Sequence, residues 1–251
     1  MSGKIKSYLS VRSRIPSGVT MTNERKGIGA ILSEAMDIIG KNPIIIVLYL
    51  IPVILVLIGL LTAVGLFIPR GAISSGFRGF EVSPEYFLDR ALSFLGFVSI
   101  FGVLGWIFGT VADAFAIRIS YNATQGKKLS LSEVWNEIGV GKILILMIAA
   151  IIVAILTILG FFVFCIGALI VMILLIFVKQ GIVVDNLDLG ATLSKSYHIA
   201  KDNFFDILIL VLIFFVLGLI LGLVPWIGSI LNVFVGMYAM VAYTVLYLDR
   251  R

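Results

Sequence analysis

The stretch AILSEAMDIIGKN, Ala30 to Asn42, has the spacing of a short amphipathic helix and leads straight into an apolar run. It returns as ATLSKSYHIAKDN, Ala191 to Asn203, again ahead of an apolar run, with Ala30 matching Ala191, Leu32 Leu193, Ser33 Ser194, Ile38 Ile199 and Asn42 Asn203. A fainter copy, LSLSEVWNEIG, places Leu131 and Ser132 on the Leu-Ser pair and Trp135 on Met36 and Tyr197. Each copy precedes two apolar runs. The chain therefore reads as three parallel repeats, each an interfacial helix followed by a transmembrane hairpin, at approximately 27–124, 129–187 and 188–248.

With 61% hydrophobic and 13% charged residues and a mean hydropathy of +1.16, the chain is outside the range of water-soluble domains. A bilayer core of about 30 Å takes roughly 20 helical residues to cross. Runs of that length lie at about 44–68, 94–121, 143–162, 164–184, 204–224 and 227–248. Lipid offers no hydrogen-bond partner to a backbone amide, so each run must be a helix. The absence of ten-residue alternating segments argues against a barrel. The expected fold is all-α: a single polytopic membrane domain over 27–251 with six transmembrane helices and one sizeable external loop, 69–91, in which Ser83-Pro84-Glu85 starts a helix.

Charge gives the orientation. Lys4, Lys6, Arg12, Arg14, Arg25, Lys26 and Lys41 precede the first run; Lys127, Lys128 and Lys142 lie between the second and third; Lys179, Lys195 and Lys201 between the fourth and fifth; and Arg250 and Arg251 close the chain. Only Arg70, Arg78 and Arg90 fall on the opposite side, with Arg118 inside a run. The positive-inside rule then puts both termini in the cytoplasm of a multi-pass cell-membrane protein. Residues 1–26 hold the whole formal surplus of +5 and make a basic tail suited to anionic lipid headgroups, at about 1 kcal/mol per basic residue near the surface. The tail lacks the aromatic interleaving of a nucleic-acid binder. No signal peptide is legible, because the first apolar run starts too late and is too long, and Met21 is an alternative start. The single cysteine, Cys165, allows no intrachain disulfide.

On the first short helix Ile28, Ile31, Leu32, Ala35, Ile38 and Ile39 form one face and Ser33, Glu34, Asp37 and Lys41 the other. The second copy sets Leu131, Val134, Trp135 and Ile138 on one face behind a capping box, Ser130-x-x-Glu133. The third offers Leu193, Tyr197 and Ala200. Asn42-Pro43 reads as an N-cap opening the first span, with Asn203 in the same role later. Close helix contacts are expected along Gly102, Gly105, Gly109, Ala112 and Ala116, at Ala150 and Ala154, and at Gly218 and Gly222. Span six carries the most polar stripe: Ser229, Asn232, Gly236, Ala239 and Tyr243.

Asp113 lies on the small-residue side of span two, where a carboxylate must be paired, protonated or wetted. Arg118, about 140° around the same helix, is a poor partner. Lys179, near the inner end of span four, is a better one. Asp113, Lys179 and Asn232, with Tyr243 and Arg118, are the ligand or coupling candidates. Ser194, His198 and Asp202 share a helix face at i, i+4 spacing, yet triads assemble from separate elements beside an oxyanion hole, so this is a solvated face. Asp185-x-x-Asp188 fits a capping and loop role better than a Mg²⁺-diphosphate motif, which would need a second acidic cluster. One His and one Cys leave no His- or Cys-based metal site and no bis-His haem, and no cofactor is expected.

LGATLSKSYHIAKDNFFDILIL, Leu189 to Leu210, followed by VGMYAMVAYTVLYLD, Val235 to Asp249, resembles a loosely defined group of prokaryotic six-helix membrane proteins. That group includes the membrane domain found with some glycerophosphodiester phosphodiesterases. Those enzymes keep their active site in a separate soluble domain, so the resemblance implies an accessory membrane module and carries over no catalytic residue. The expectation is a non-enzymatic protein binding lipid or an amphiphile in a cytoplasmic-side cavity near Asp113, Lys179 and Asn232. The alternatives are a small-solute permease, proton-coupled through Asp113, and a structural subunit with a membrane-protein partner.

Overall fold

A computed structural model describes residues 25–67, 84–163, 165–224 and 227–251. The basic tail before Arg25 and the first part of the expected external loop, 69–83, lie outside the described residues. All regular structure among the described residues is helical: α1 Ile28–Lys41, α2 Ile44–Phe67, α3 Pro84–Thr124, α4 Leu131–Val163, α5 Cys165–Leu174, α6 Val178–Asp185, α7 Leu189–Asp202, α8 Phe204–Gly222 and α9 Gly228–Arg250. Six segments are long and apolar enough to cross a membrane: α2, the greater part of α3, α4, the α5–α6 pair, α8 and α9. The chain is an all-α polytopic membrane protein. As Ser83-Pro84-Glu85 implied, a helix starts at Pro84, so the last residues of the expected loop belong to α3.

The order short helix, span, returning span occurs three times. In the second unit the short helix and the span are continuous in α4 except at Gly139, whose φ of 66° and ψ of 164° separate 131–138 from the span. A left-handed φ is cheap only for glycine, which accounts for the residue at this elbow. The other two elbows are built alike by asparagine. The Asn42 side chain donates to Ile38 O at 2.9 Å and the Asn203 side chain to Ile199 O at 2.8 Å. Both therefore close the preceding short helix, where terminal carbonyls lack partners, and neither side chain caps the span that follows. This reverses the N-cap reading: a carboxamide can donate as well as accept, and here it donates backwards.

Each hairpin packs on itself, α2 on α3, α4 on α5 and α8 on α9, while α9 also meets α1, α2 and α3 and is the most enclosed span. The buried apolar residues run over Ala112–Ile119 of α3, Val178–Val184 of α6 and Val235–Tyr247 of α9, with Ile31, Ala35, Ile38 and Ile39 of α1. The core thus sits toward one end of the bundle, the basic end, where the short helices and both described chain ends lie. Leu61, Leu95, Ile155 and Phe215 are exposed on the flanks, as a lipid-facing surface requires.

Small residues act locally. Gly105 packs on Val56, Gly59 on Phe101, Gly160 and Gly167 bring their backbones together in the α4–α5 hairpin, and Gly218 and Gly222 accept Asn232. Gly102 and Gly109 of the expected stripe, by contrast, face open space, where an added Cβ would meet nothing within 4 Å. Ala154 is exposed as well, and beyond the elbow the buried face of α4 is Ile143, Leu146 and Ala149. The 3,4 spacing holds, but only Gly105, Ala112 and Ala116 of the stripe are buried.

Candidate functional site

Span four is broken. Between α5 and α6 the chain turns at 175–177, which leaves the carbonyl of Leu174 and the amide of Phe177 outside a continuous helix ladder. α7 supplies the missing partners. Ser196 Oγ donates to Leu174 O at 2.9 Å and accepts from Phe177 N at 3.1 Å, and Thr192 Oγ1 donates to Val178 O at 3.2 Å. Thr192 and Ser196 are buried, with Ile199 and Ala200 one turn beyond Ser196, while Tyr197 is 43% exposed. The inward face of α7 is therefore centred on its two hydroxyls: of the residues read from apolar spacing, Ala200 is buried, Leu193 packs partly against the core and Tyr197 points out. Buried backbone groups demand partners, and that demand adds two hydroxyls to the inward face.

After this break α6 presents Lys179 and Gln180. Lys179 Nζ lies 2.5 Å from Asp113 Oδ2, and Tyr49 of α2 donates its hydroxyl to Asp113 Oδ1 at 2.5 Å. The expected Asp113–Lys179 pair exists, and Tyr49, unnoticed in the sequence, completes it. The Asp113 and Tyr49 side chains are largely buried, and Lys179 is one-third exposed. The carboxylate is thus satisfied on both oxygens by groups from α2 and α6. Gln180, buried beside it in sequence, donates toward Met240 Sδ at 3.7 Å, and its Oε1 has no partner among the described residues.

The other candidates lie elsewhere. Arg118 pairs with Glu137 Oε2 at 2.5 Å and stands over the Tyr121 ring. Tyr243 packs edge-on against Phe214 of α8. Asn232 donates to Gly228 O at 3.0 Å and faces Gly218 and Gly222, at the end of the bundle opposite the basic one. It therefore does not join Asp113 and Lys179 in one cavity. Asn232 enters α9 from the far hairpin, whereas Tyr247, 15 residues and about 22 Å further along, is at the level of Asp185. His198 Nδ1 meets the backbone oxygen of Ser194 at 2.7 Å, so no triad forms. Asp188 caps α7, accepting from Ala191 N at 2.8 Å. Asp185 takes Lys195 at 2.5 Å, Arg251 at 2.7 Å and the Tyr247 hydroxyl. No group of three or more metal-ligating side chains occurs among the described residues.

The polar contacts at the basic end join the units to one another. Arg118–Glu137 links the first to the second, Asp185 the second to the third, and the third returns to the first through Lys26 N, which donates to Asp249 at 3.1 Å, and through Arg250, which donates to Lys26 O at 3.0 Å. Tyr238 of α9 also donates to Leu32 O at 3.0 Å. Where α1, α3 and α9 meet, an open cleft of about 380 Å³ remains. Its walls carry Lys26, Glu34, Gln125, Asp249 and Arg251, and Val245 and Leu248 contribute the apolar lining. None of Asp113, Lys179 or Asn232 lines it. The cleft has no counterpart among the sequence expectations because its walls come from helix ends more than 200 residues apart. Comparison with family models, curated proteins and solved structures returns no match.

Proposed function

We propose that this is a non-enzymatic membrane protein that binds a lipid or other amphiphile, with its basic end in the cytoplasm and the headgroup held in the cleft between α1, α3 and α9. The observation that carries this is the cleft itself. A volume of about 380 Å³ is within the range of small-ligand sites, and polar walls beside the partly exposed Leu248 suit a molecule with one wet and one greasy end. Met36, Trp135 and Tyr197, the matched residues of the three short helices, are 56%, 42% and 43% exposed. Large apolar side chains outside the bundle at this end fit helices lying along a membrane interface. The basic tail adds attraction to anionic headgroups, and the resemblance to accessory membrane modules points the same way. Mass spectrometry of the protein extracted with native lipid in a detergent-free polymer tests the proposal. One lipid per chain is expected, lost in the Lys26→Gln, Arg251→Gln double variant; a wild-type protein without lipid, or retention indifferent to that variant, contradicts it.

A second reading, proton-coupled movement of a small solute, is favoured by the Asp113–Lys179–Tyr49 cluster next to a broken span, since interrupted helices commonly mark transport sites. Reconstituted vesicles carrying a pH-sensitive dye test it. Proton movement above that of empty vesicles and abolished by Asp113→Asn supports the reading; no excess movement removes it.

A further inference from the structure

The cleft has walls of both signs. Lys26 and Arg251 face it with Glu34 and Asp249, so the lining sums to zero formal charge. Asp249 is engaged by Arg250 and by Lys26 N, and the other three charged groups keep capacity. Among the described residues Lys26 Nζ gives one contact, to Glu34 Oε2 at 2.6 Å, and an ammonium has three donors. Arg251 uses NH1 on Asp185 at 2.7 Å and keeps other N–H donors of a five-donor fork. Among the described residues Glu34 is bonded through Oε2, to Lys26, and its side chain is 29% exposed. A headgroup of one sign would gain from one wall and be opposed by the other. A headgroup with a phosphate and an ammonium a few bonds apart can place each against its complement.

We propose that the cleft selects a zwitterionic headgroup, a phosphate bearing an amino-alcohol, over an anionic one. This rests on the reading that the cleft holds a lipid headgroup, and it separates the cleft from the basic tail, whose attraction is for net negative charge.

The test is competitive reloading. Delipidated full-length protein is exposed to an equimolar mixture of phosphatidylethanolamine and phosphatidylglycerol with matched acyl chains, and the retained lipid is identified by native mass spectrometry. Wild type should retain phosphatidylethanolamine over phosphatidylglycerol by about fivefold, the size of one modest ion pair. Glu34→Gln, which leaves the cleft with a positive surplus, should bring the ratio to parity or reverse it. Equal retention or a phosphatidylglycerol preference in wild type overturns the zwitterion proposal while leaving a lipid site. A phosphatidylethanolamine preference that Glu34→Gln does not move overturns it too, since the lipid then binds elsewhere. Retention of neither lipid overturns the lipid-headgroup reading, and this proposal with it.

Discussion

Lys179 Nζ and Asp113 Oδ2 stand 2.5 Å apart, joining α6 to α3 in the half of the bundle that holds the core. With Tyr49 on the other carboxylate oxygen, three helices from two units are fixed at one point. Removing one member of such a pair leaves a charge without its complement, and the cost exceeds what the pair contributes net.

Asp113→Asn should therefore lower stability by about 1–3 kcal/mol, less than for a fully buried pair because Lys179 is partly solvated. Asp113→Leu combined with Lys179→Met should recover most of the loss. Thermal unfolding in detergent, read as a double-mutant cycle, checks this; additive losses would show that the two residues act independently.

Ser196 makes two hydrogen bonds across the break in span four, so Ser196→Ala should cost about 1–3 kcal/mol by leaving buried backbone groups unpaired. Ser194→Ala, on the exposed face of the same helix, should stay within about 0.5 kcal/mol of wild type. Equal Tm values for the two variants would mean that α7 does not support the broken span.

A Cβ on Gly160 would fall 2.9 Å from the Gly167 carbonyl oxygen, and one on Gly167 would run into the Gly160 carbonyl. Gly65 is in open space inside α2. Gly167→Ala should destabilise by more than about 1 kcal/mol, whereas Gly65→Ala should be neutral or stabilising through helix propensity. Gly139→Ala should be costly for a different reason, its φ of 66°. Unfolding midpoints of the three variants, compared side by side, separate these causes.

Orientation is open to chemical labelling. In a Cys165→Ser background, cysteine introduced at Gln125 should react with an impermeant thiol reagent only from the cytoplasmic side, and cysteine at Leu223, which is 82% exposed at the far end, only from outside. The opposite pattern would invert the protein.

The spans were legible because hydropathy reports the solvent directly, and Asp113 with Lys179 was legible because an acid among small residues needs a cation at its own depth. The break after Leu174 was not. LIVMILLIF carries no Gly or Pro there, and the interruption depends on hydroxyls of Ser196 and Thr192 about 20 residues away. Thr192 and Ser196 at i, i+4, following a polar Lys179-Gln180 pair deep in an apolar run, were the signal available. Asn232 misled because a polar residue on a span suggests a shared cavity, whereas its partners are its own helix and the glycines opposite. The cleft, assembled from the ends of α1, α3 and α9, had no local signature at all.

The most direct measurement is an electron cryomicroscopy map of the protein in lipid nanodiscs. Headgroup density is expected in the cleft within hydrogen-bond reach of Lys26, Glu34 and Arg251, continuing as acyl density past Val245 and Leu248. An empty cleft in a map that shows ordered lipid around the rest of the bundle would contradict lipid binding there.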